Sequence, residues 1–307
     1  MAAQKPAVGG QALIEGVMMR GAKTIAMAVR KPDGEIEVKT EPIKGISTTG
    51  WMKVPFVRGI LTLFSSMAVG VRALTWSAEF FGEGEMEEPS RFEKWLQAKM
   101  GKRADDILIG MSMVFAVIMA FGLFGALPTF LISLLKGVIS DPVILSGMEG
   151  VLKILMFIGY VVVISQMRDI RRVFQYHGAE HKAIYCYENN LDLTVENAKK
   201  FTTLHRRCGT SFVIIVLIIS ITVFSFVPWS STLMRIGIKM LFLPIIGGLS
   251  YEVIRLAGKK DNALVRLISW PGLMMQKLTT KEPDDKMLEV ALASLKATLA
   301  ADEELAS

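Results

Sequence analysis

Long apolar runs constrain this chain more than any other feature. Residues Ile107 to Leu127 contain no charged side chain, and roughly 20 apolar residues suffice to cross a bilayer. Further apolar stretches cover 151–166, 211–227 and 236–254. Backbone polar groups in hydrocarbon must bond within their own segment, so these runs can only become helices or strands of a closed barrel, and their length favours helices. The composition agrees. Hydrophobic residues make up 51% of the 307 residues, and mean hydropathy is +0.42, too apolar for an ordinary soluble domain. The expected fold is an α-helical integral membrane protein, with about four transmembrane helices, an interfacial helix and a small N-terminal antiparallel β element.

The first 50 residues are not membrane-like. Alternating sequence on both sides of Pro32-Asp33-Gly34 predicts a hairpin. Met1 to Pro6 carries no apolar core of the kind a cleavable signal needs. In 51–104, only 13 uncharged residues, Gly59 to Val71, separate Arg58 from Arg72. That is short for a span. An interfacial or re-entrant helix is expected, anchored by Trp51, Phe56 and Trp76, followed by a charged connector. Residues 105–166 form a first transmembrane pair, with a kink or stop at Pro128. Residues 167–210 form a polar loop, and 211–257 a second pair with Pro244 inside it. In the tail, 258–307, Asp284 or Asp285 caps a helix carrying Leu288, Leu292 and Leu295. Arg235 and Lys239 are expected to reach outer headgroups, and Glu252 and Arg255 to pair or to snorkel separately.

Lys and Arg set the orientation. The 167–210 loop carries eight of them, whereas 137–150 and 227–234 carry none. With four spans, both termini and this loop face the cytoplasm. The net charge of +6 is accounted for by these boundaries, and no basic run with interleaved aromatics suggests nucleic acid as a partner. The lipid bilayer is the expected partner, with other membrane proteins or a lipid-linked substrate within reach.

The same loop holds the chemistry. All three histidines of the chain, His177, His181 and His205, lie in it, with Cys208. Arg168 to Glu188 reads as one helix stopped by Asn189-Asn190, which puts His177 and His181 on one face. His-x-x-Glu-His is the inverted zincin arrangement. Its histidines hold a divalent metal, expected to be zinc, and Glu180 serves as general base. Glu188, His205 and Cys208 are candidates for a third ligand. Four protein ligands would close the site into a structural staple; three would leave room for chemistry. Cys186 falls off the histidine stripe and is expected to pack. Glu15 is a turn residue or a contributor to the site from the sheet. Arg207 is a membrane-boundary cation or an anion-recognition group.

The segments Gly9-Gly10-Gln11-Ala12-Leu13-Ile14-Glu15-Gly16-Val17-Met18-Met19-Arg20, His177-Gly178-Ala179-Glu180-His181-Lys182, Arg207-Cys208-Gly209-Thr210-Ser211-Phe212 and Thr279-Thr280-Lys281-Glu282-Pro283-Asp284-Asp285 resemble those of the YqhQ-like bacterial membrane proteins, a family of unknown function labelled metal-dependent enzymes. The resemblance covers nearly the whole chain. It implies a bacterial cytoplasmic membrane location and names no substrate. Two functions are therefore expected as alternatives. One is a zinc-type hydrolase at the cytoplasmic membrane surface. The other is a non-catalytic assembly, quality-control or translocation factor whose metal or polar cluster is structural.

Overall fold

The computed structural model describes residues 8–43, 54–81, 90–101, 104–205, 208–229, 231–257 and 263–305. Trp51, Arg206 and Arg207 lie outside them. The chain forms two compact units. One is built from Met1–Phe81, Tyr160–Ile219 and Pro244–Ser307, the other from Gly82–Gly159 and Ser220–Leu243.

The first unit starts with strands β1 (Gly9–Leu13), β2 (Gly16–Arg20), β3 (Thr24–Arg30) and β4 (Ile36–Pro42), an antiparallel sheet in sequence order. The expected hairpin at Asp33-Gly34 joins β3 to β4, with Arg30 opposite Ile36 and Gly34 at φ 92°. Strand side chains alternate between faces, and here both faces are covered. Val17, Met19 and Ala28 pack with helices α6 (Arg168–Glu188) and α11 (Asp285–Glu304). Leu13, Met18, Ile25, Met27 and Val29 pack on Ala73 of helix α1 (Val57–Glu79).

Helix α1 runs unbroken for 23 residues and is long and apolar enough to cross a membrane, which the count between Arg58 and Arg72 did not credit. Its contacts divide it. Near its start, a Cβ on Gly59 would meet Gly248 and Tyr251 of helix α9 (Thr232–Ala257) at 3.0–3.1 Å. Arg58 pairs with Glu252, so Glu252 is not Arg255's alone; that guanidinium reaches only to 4.0 Å. Near its end, Val69, Leu74, Trp76 and Phe80 pack against the sheet. Ser77 Oγ accepts from the Ile14 N–H at 3.3 Å. Trp76 is thus a sheet contact, edge-on to Phe80 at 5.1 Å, rather than an interface anchor.

In the second unit, α2 (Arg91–Met100) starts at a capping box between Ser90 and Glu93. Helix α3 (Ala104–Phe121) runs through a wide turn at Gly122–Ala126 into α4 (Leu127–Ser133), and the segment Ile107–Gly137 is continuous. Pro128 neither stops nor isolates it, because the wide turn takes up the carbonyl its ring would strike. Helix α5 (Pro142–Ile164) begins nine residues before the expected 151. It and α9 are also apolar and long enough to span. Helix α8 (Gly209–Ser225) is apolar but has 17 residues. Arg235 and Lys239 do not reach outward. They are 1% and 2% exposed and meet Glu149, since long cations inside a bundle find an internal carboxylate before they find headgroups.

Short helix α7 (Val195–Lys199) follows α6, and α10 (Ala263–Thr279), which the sequence did not announce, precedes the tail. Asp284 caps α11, its side chain accepting from the Met287 N–H at 2.8 Å. Met287, Leu288, Leu292 and Leu295 are buried against α6 and the sheet.

Candidate metal centre

Helix α6 occupies the predicted range and stops where Asn190 adopts a left-handed φ of 57°. Its face from Tyr176 to Tyr187 is largely buried. Gly178 makes that burial possible: a Cβ there would sit 2.1 Å from the Lys281 carbonyl oxygen. The irregular segment after α10 therefore lies directly on α6, and the Lys281 N–H donates to the Phe174 carbonyl at 2.8 Å.

This close approach orients the histidines. His177 Nδ1 lies 2.9 Å from the Thr279 carbonyl oxygen, and His181 Nδ1 lies 2.5 Å from that of Thr203. A carbonyl only accepts, so each Nδ1 carries a proton, and in the neutral form of each ring Nε2 is the nitrogen that keeps a lone pair. His177 Nε2 is 3.1 Å from Cys208 Sγ. One ligand atom each from His177, His181 and Cys208 lies within 4.8 Å of the others. His181 Nε2 is buried without a hydrogen-bond partner. Burial holds the His181 ring below the ordinary histidine range, against the raising effect of the Cys208 thiol, so the ring stays neutral. Neutral imidazoles whose outer nitrogens bond to carbonyls are the usual form of metal-binding histidines. An orphaned, buried lone pair beside a second imidazole and a thiol fits a divalent metal of zinc type, for which N and S donors are suited.

His205 is placed differently. Its ring lies 5.5 Å from that of His181, but Nε2 faces Glu188 Oε2 at 3.4 Å. Its backbone is clamped by Gln276, which accepts from the His205 N–H at 2.7 Å and donates to its carbonyl at 2.8 Å. Burial also holds this ring below the ordinary range, partly offset by Glu180. Glu188 therefore supports His205 and does not join the His177, His181 and Cys208 cluster.

Glu180 is fully packed, 5% exposed, and its Oε2 has no partner. Burial pushes its carboxyl above the ordinary carboxylate range; His177, His205 and the Gly10 backbone pull it back. Gly10 of β1 is close enough that a Cβ would lie 2.8 Å from Glu180 Cγ. His177, Glu180, His181, His205 and Cys208 all line one cavity of about 470 Å³, together with Gly10 and apolar Val173, Phe174 and Val213.

Of the remaining predicted residues, Cys186 is buried and packs, its Sγ 3.3 Å from the Asp192 carbonyl. Glu15 stands in the β1–β2 turn at φ 50°. Its carboxylate accepts from Arg172 and from the Oη of Tyr176, the residue just before His177. That raises the Arg172 guanidinium, and Tyr176 is raised by burial and by the Glu15 charge. The sequence did not reveal Thr203, Thr279 or Gln276. The first two act through carbonyls, which leave no residue-type signature. The resemblance of the Thr279 to Asp285 stretch was a signal, but it gave no link to the histidines.

No solved structure matches this chain. An uncharacterised protein from Bacillus subtilis (strain 168), YqhQ, is 36% identical over 293 residues, covering 94% of this chain and 91% of the relative. A protein family of unknown function, DUF1385, matches residues 54–301. With four of its helices long and apolar enough to cross a membrane and a relative aligned along nearly its full length, the chain belongs to the DUF1385 family.

Proposed function

We propose that this protein is a zinc-type hydrolase working at the cytoplasmic surface of a bacterial membrane. The observation that carries this reading is the orientation of the pair. Both Nδ1 atoms face main-chain carbonyls, which leaves both Nε2 atoms as the free metal-binding positions of a cluster with Cys208 Sγ. His177, His181 and Cys208 would hold the ion. His205, tied to Glu188 and Gln276, stands outside the cluster, so among the described residues three protein ligands rather than four are at hand, the count that goes with chemistry. A zinc ion there supplies Lewis acidity and lowers the pKa of water. Glu180, with an unpartnered oxygen and a carboxyl raised by burial, is the base that takes a proton in the same cavity. Apolar Val173, Phe174 and Val213 line part of the cavity, and the glycine at position 10 lets β1 press on Glu180.

Topology supports the location. The sheet, α6 and α11 pack into one core, so they share one side of the membrane. The chain between them must then cross an even number of times. Between the sheet and α6 lie α1, the α3–α4 segment and α5. α1 is the least apolar of these, and its second half is engaged by the sheet, so it stays at the surface. Between α6 and α11 the crossings would be α9 and the shorter apolar helix α8, whose 17 residues continue into apolar Phe226 and Val227. The basic 167–210 loop then marks the cytoplasmic side. Cys208 directly precedes α8, which puts the cavity where a membrane-anchored ester or amide can enter.

Metal analysis of the purified protein tests the reading. About one zinc per chain is expected, lost in His181→Ala and kept in Glu180→Gln. In cobalt-substituted protein, a hydroxamate should shift the ligand-field spectrum, because an open position accepts it. A spectrum indifferent to hydroxamate would identify a closed staple and favour an assembly role. Wild-type protein without metal would sink both.

A further inference from the structure

Strand β1 carries main-chain groups that the sheet does not use. It forms one edge of the sheet and β4 forms the other. In an antiparallel ladder the N–H and C=O of successive residues point alternately to the two sides. The Arg30 N–H donates to the Glu15 carbonyl at 2.9 Å, so Glu15, Val17 and Met19 turn their main-chain groups towards β3. Gly16, Met18 and Arg20 then turn theirs to β1, opposite Leu13, Gln11 and Gly9. Gly10 and Ala12 are left with theirs pointing off the edge. The Gly10 N–H is met by the Glu180 carboxylate. Among the described residues, nothing bonds the Gly10 carbonyl or the N–H and carbonyl of Ala12.

The two edges differ in chemistry. β4 carries Glu37, Lys39 and Glu41, charges of the kind that keep a sheet edge from pairing. β1 carries none. Gly9 and Gly10 are exposed, and a Cβ on Gly9 would meet nothing within 4 Å. This uncharged edge opens into the cavity of the histidine cluster, where Val8 to Ala12 form a wall facing His177, His181 and Cys208. The cavity's volume of about 470 Å³ is that of an ordinary ligand site. Its described lining residues include no Lys or Arg. A phosphate would find no counter-charge there, whereas a neutral main chain needs none.

We propose that the cavity takes an extended, uncharged polypeptide segment, added to the sheet as a further strand along the free edge of β1. Such strands are held by main-chain hydrogen bonds, here to Gly10 and Ala12. On the hydrolase reading, a peptide bond of that segment is the substrate; the chemistry rests on that reading and the binding does not. Glu180, bonded to Gly10, stands beside the added strand. Hydrolysis consumes one water. Its oxygen joins the carbonyl carbon, the C–N bond breaks, and Glu180 passes the proton to the leaving nitrogen.

Purified full-length Glu180→Gln protein in detergent, loaded with zinc, is equilibrated with a library of end-blocked apolar decapeptides, and retained peptides are identified by mass spectrometry. Retention is expected, and N-methylation of alternate main-chain amides in the retained peptides should abolish it. Ala12→Pro removes one outward N–H and leaves the ladder to β2 whole, a change that edge strands accept. Added to Glu180→Gln, it should weaken retention about tenfold with zinc content and circular dichroism unchanged. If that variant does not fold, the N-methylated peptides decide. Wild-type zinc protein should cut the retained peptides. Retention without cutting would sink the hydrolase reading and leave the strand site standing. No retention, retention indifferent to N-methylation, or an Ala12→Pro protein that binds like its parent overturns the strand site. So does hydrolysis of a phosphoester or lipid ester by a protein that retains no peptide, an outcome that keeps the hydrolase reading.

Discussion

At the scale of single residues, the candidate site rests on two glycines, Gly10 and Gly178, as much as on its histidines. Gly178 has the Lys281 carbonyl where a Cβ would be, so Gly178→Ala must push the 279–281 segment off α6. That segment supplies the carbonyl that fixes His177. We expect Gly178→Ala to destabilise by about 1–3 kcal/mol, the usual cost of overpacking, and to lower zinc content. Thermal unfolding and metal analysis would check both. A variant of wild-type stability with full zinc would refute the close approach. The His-x-x-Glu-His spacing in sequence was enough to place His177, His181 and Glu180 on one helical face. It could not choose among Glu188, His205 and Cys208. That choice depends on Gln276, 71 residues away from His205, whose amide holds the His205 backbone.

Among the elements, α11 closes the core that the sheet shares with α6, and the Asp302 carboxylate fastens its far end. Asp302 accepts from the Ala22 and Lys23 N–H groups at 2.6 and 2.9 Å and from Thr24 Oγ1 at 2.7 Å. Burial would raise its pKa, yet the bonds from Thr24, Lys23 and Ala22 hold it below the ordinary aspartate range. A depressed carboxyl pKa adds stability that is present above the unfolded value, about 3.9, and is lost as pH falls through the folded one. Acidification below about pH 4 should therefore loosen α11 from the β2–β3 turn. Hydrogen exchange at Ala22 and Lys23 should rise there in wild type, and Asp302→Asn should show the fast exchange already at neutral pH. Deeper in the helix, Leu295 is fully buried, and Leu295→Ala should cost about 2–5 kcal/mol in unfolding. The leucine spacing made this helix legible in sequence. The α10 helix before it was not, because Pro271 and a short apolar run gave no clear period.

For the whole molecule, the decisive relation is that chain segments far apart in sequence build one core. The sheet near the N-terminus and α11 near the C-terminus pack together, so reporters fused at the two ends should lie on the same side of the membrane. Protease or fluorophore accessibility in sealed vesicles would show it. Opposite sides would mean that α1 crosses and would break the parity argument. A chain ending before Asp285 should fail to accumulate, since it would leave Val17, Met19 and Ala28 uncovered.

The sequence by itself determined the membrane class, the four-stranded N-terminal sheet's hairpin, the histidine-bearing helix and its stop, and the capped tail helix, because each depends on local periodicity, turn chemistry or run length. Tertiary structure alone decided three things. It gave Thr203 and Thr279 their roles, because a carbonyl becomes an orienting group only through where the chain passes. It sent Arg235 and Lys239 inward, because a carboxylate on another helix lay within reach. It assigned half of α1 to the sheet, because apolar length cannot distinguish lipid from a protein face as the surface that covers it.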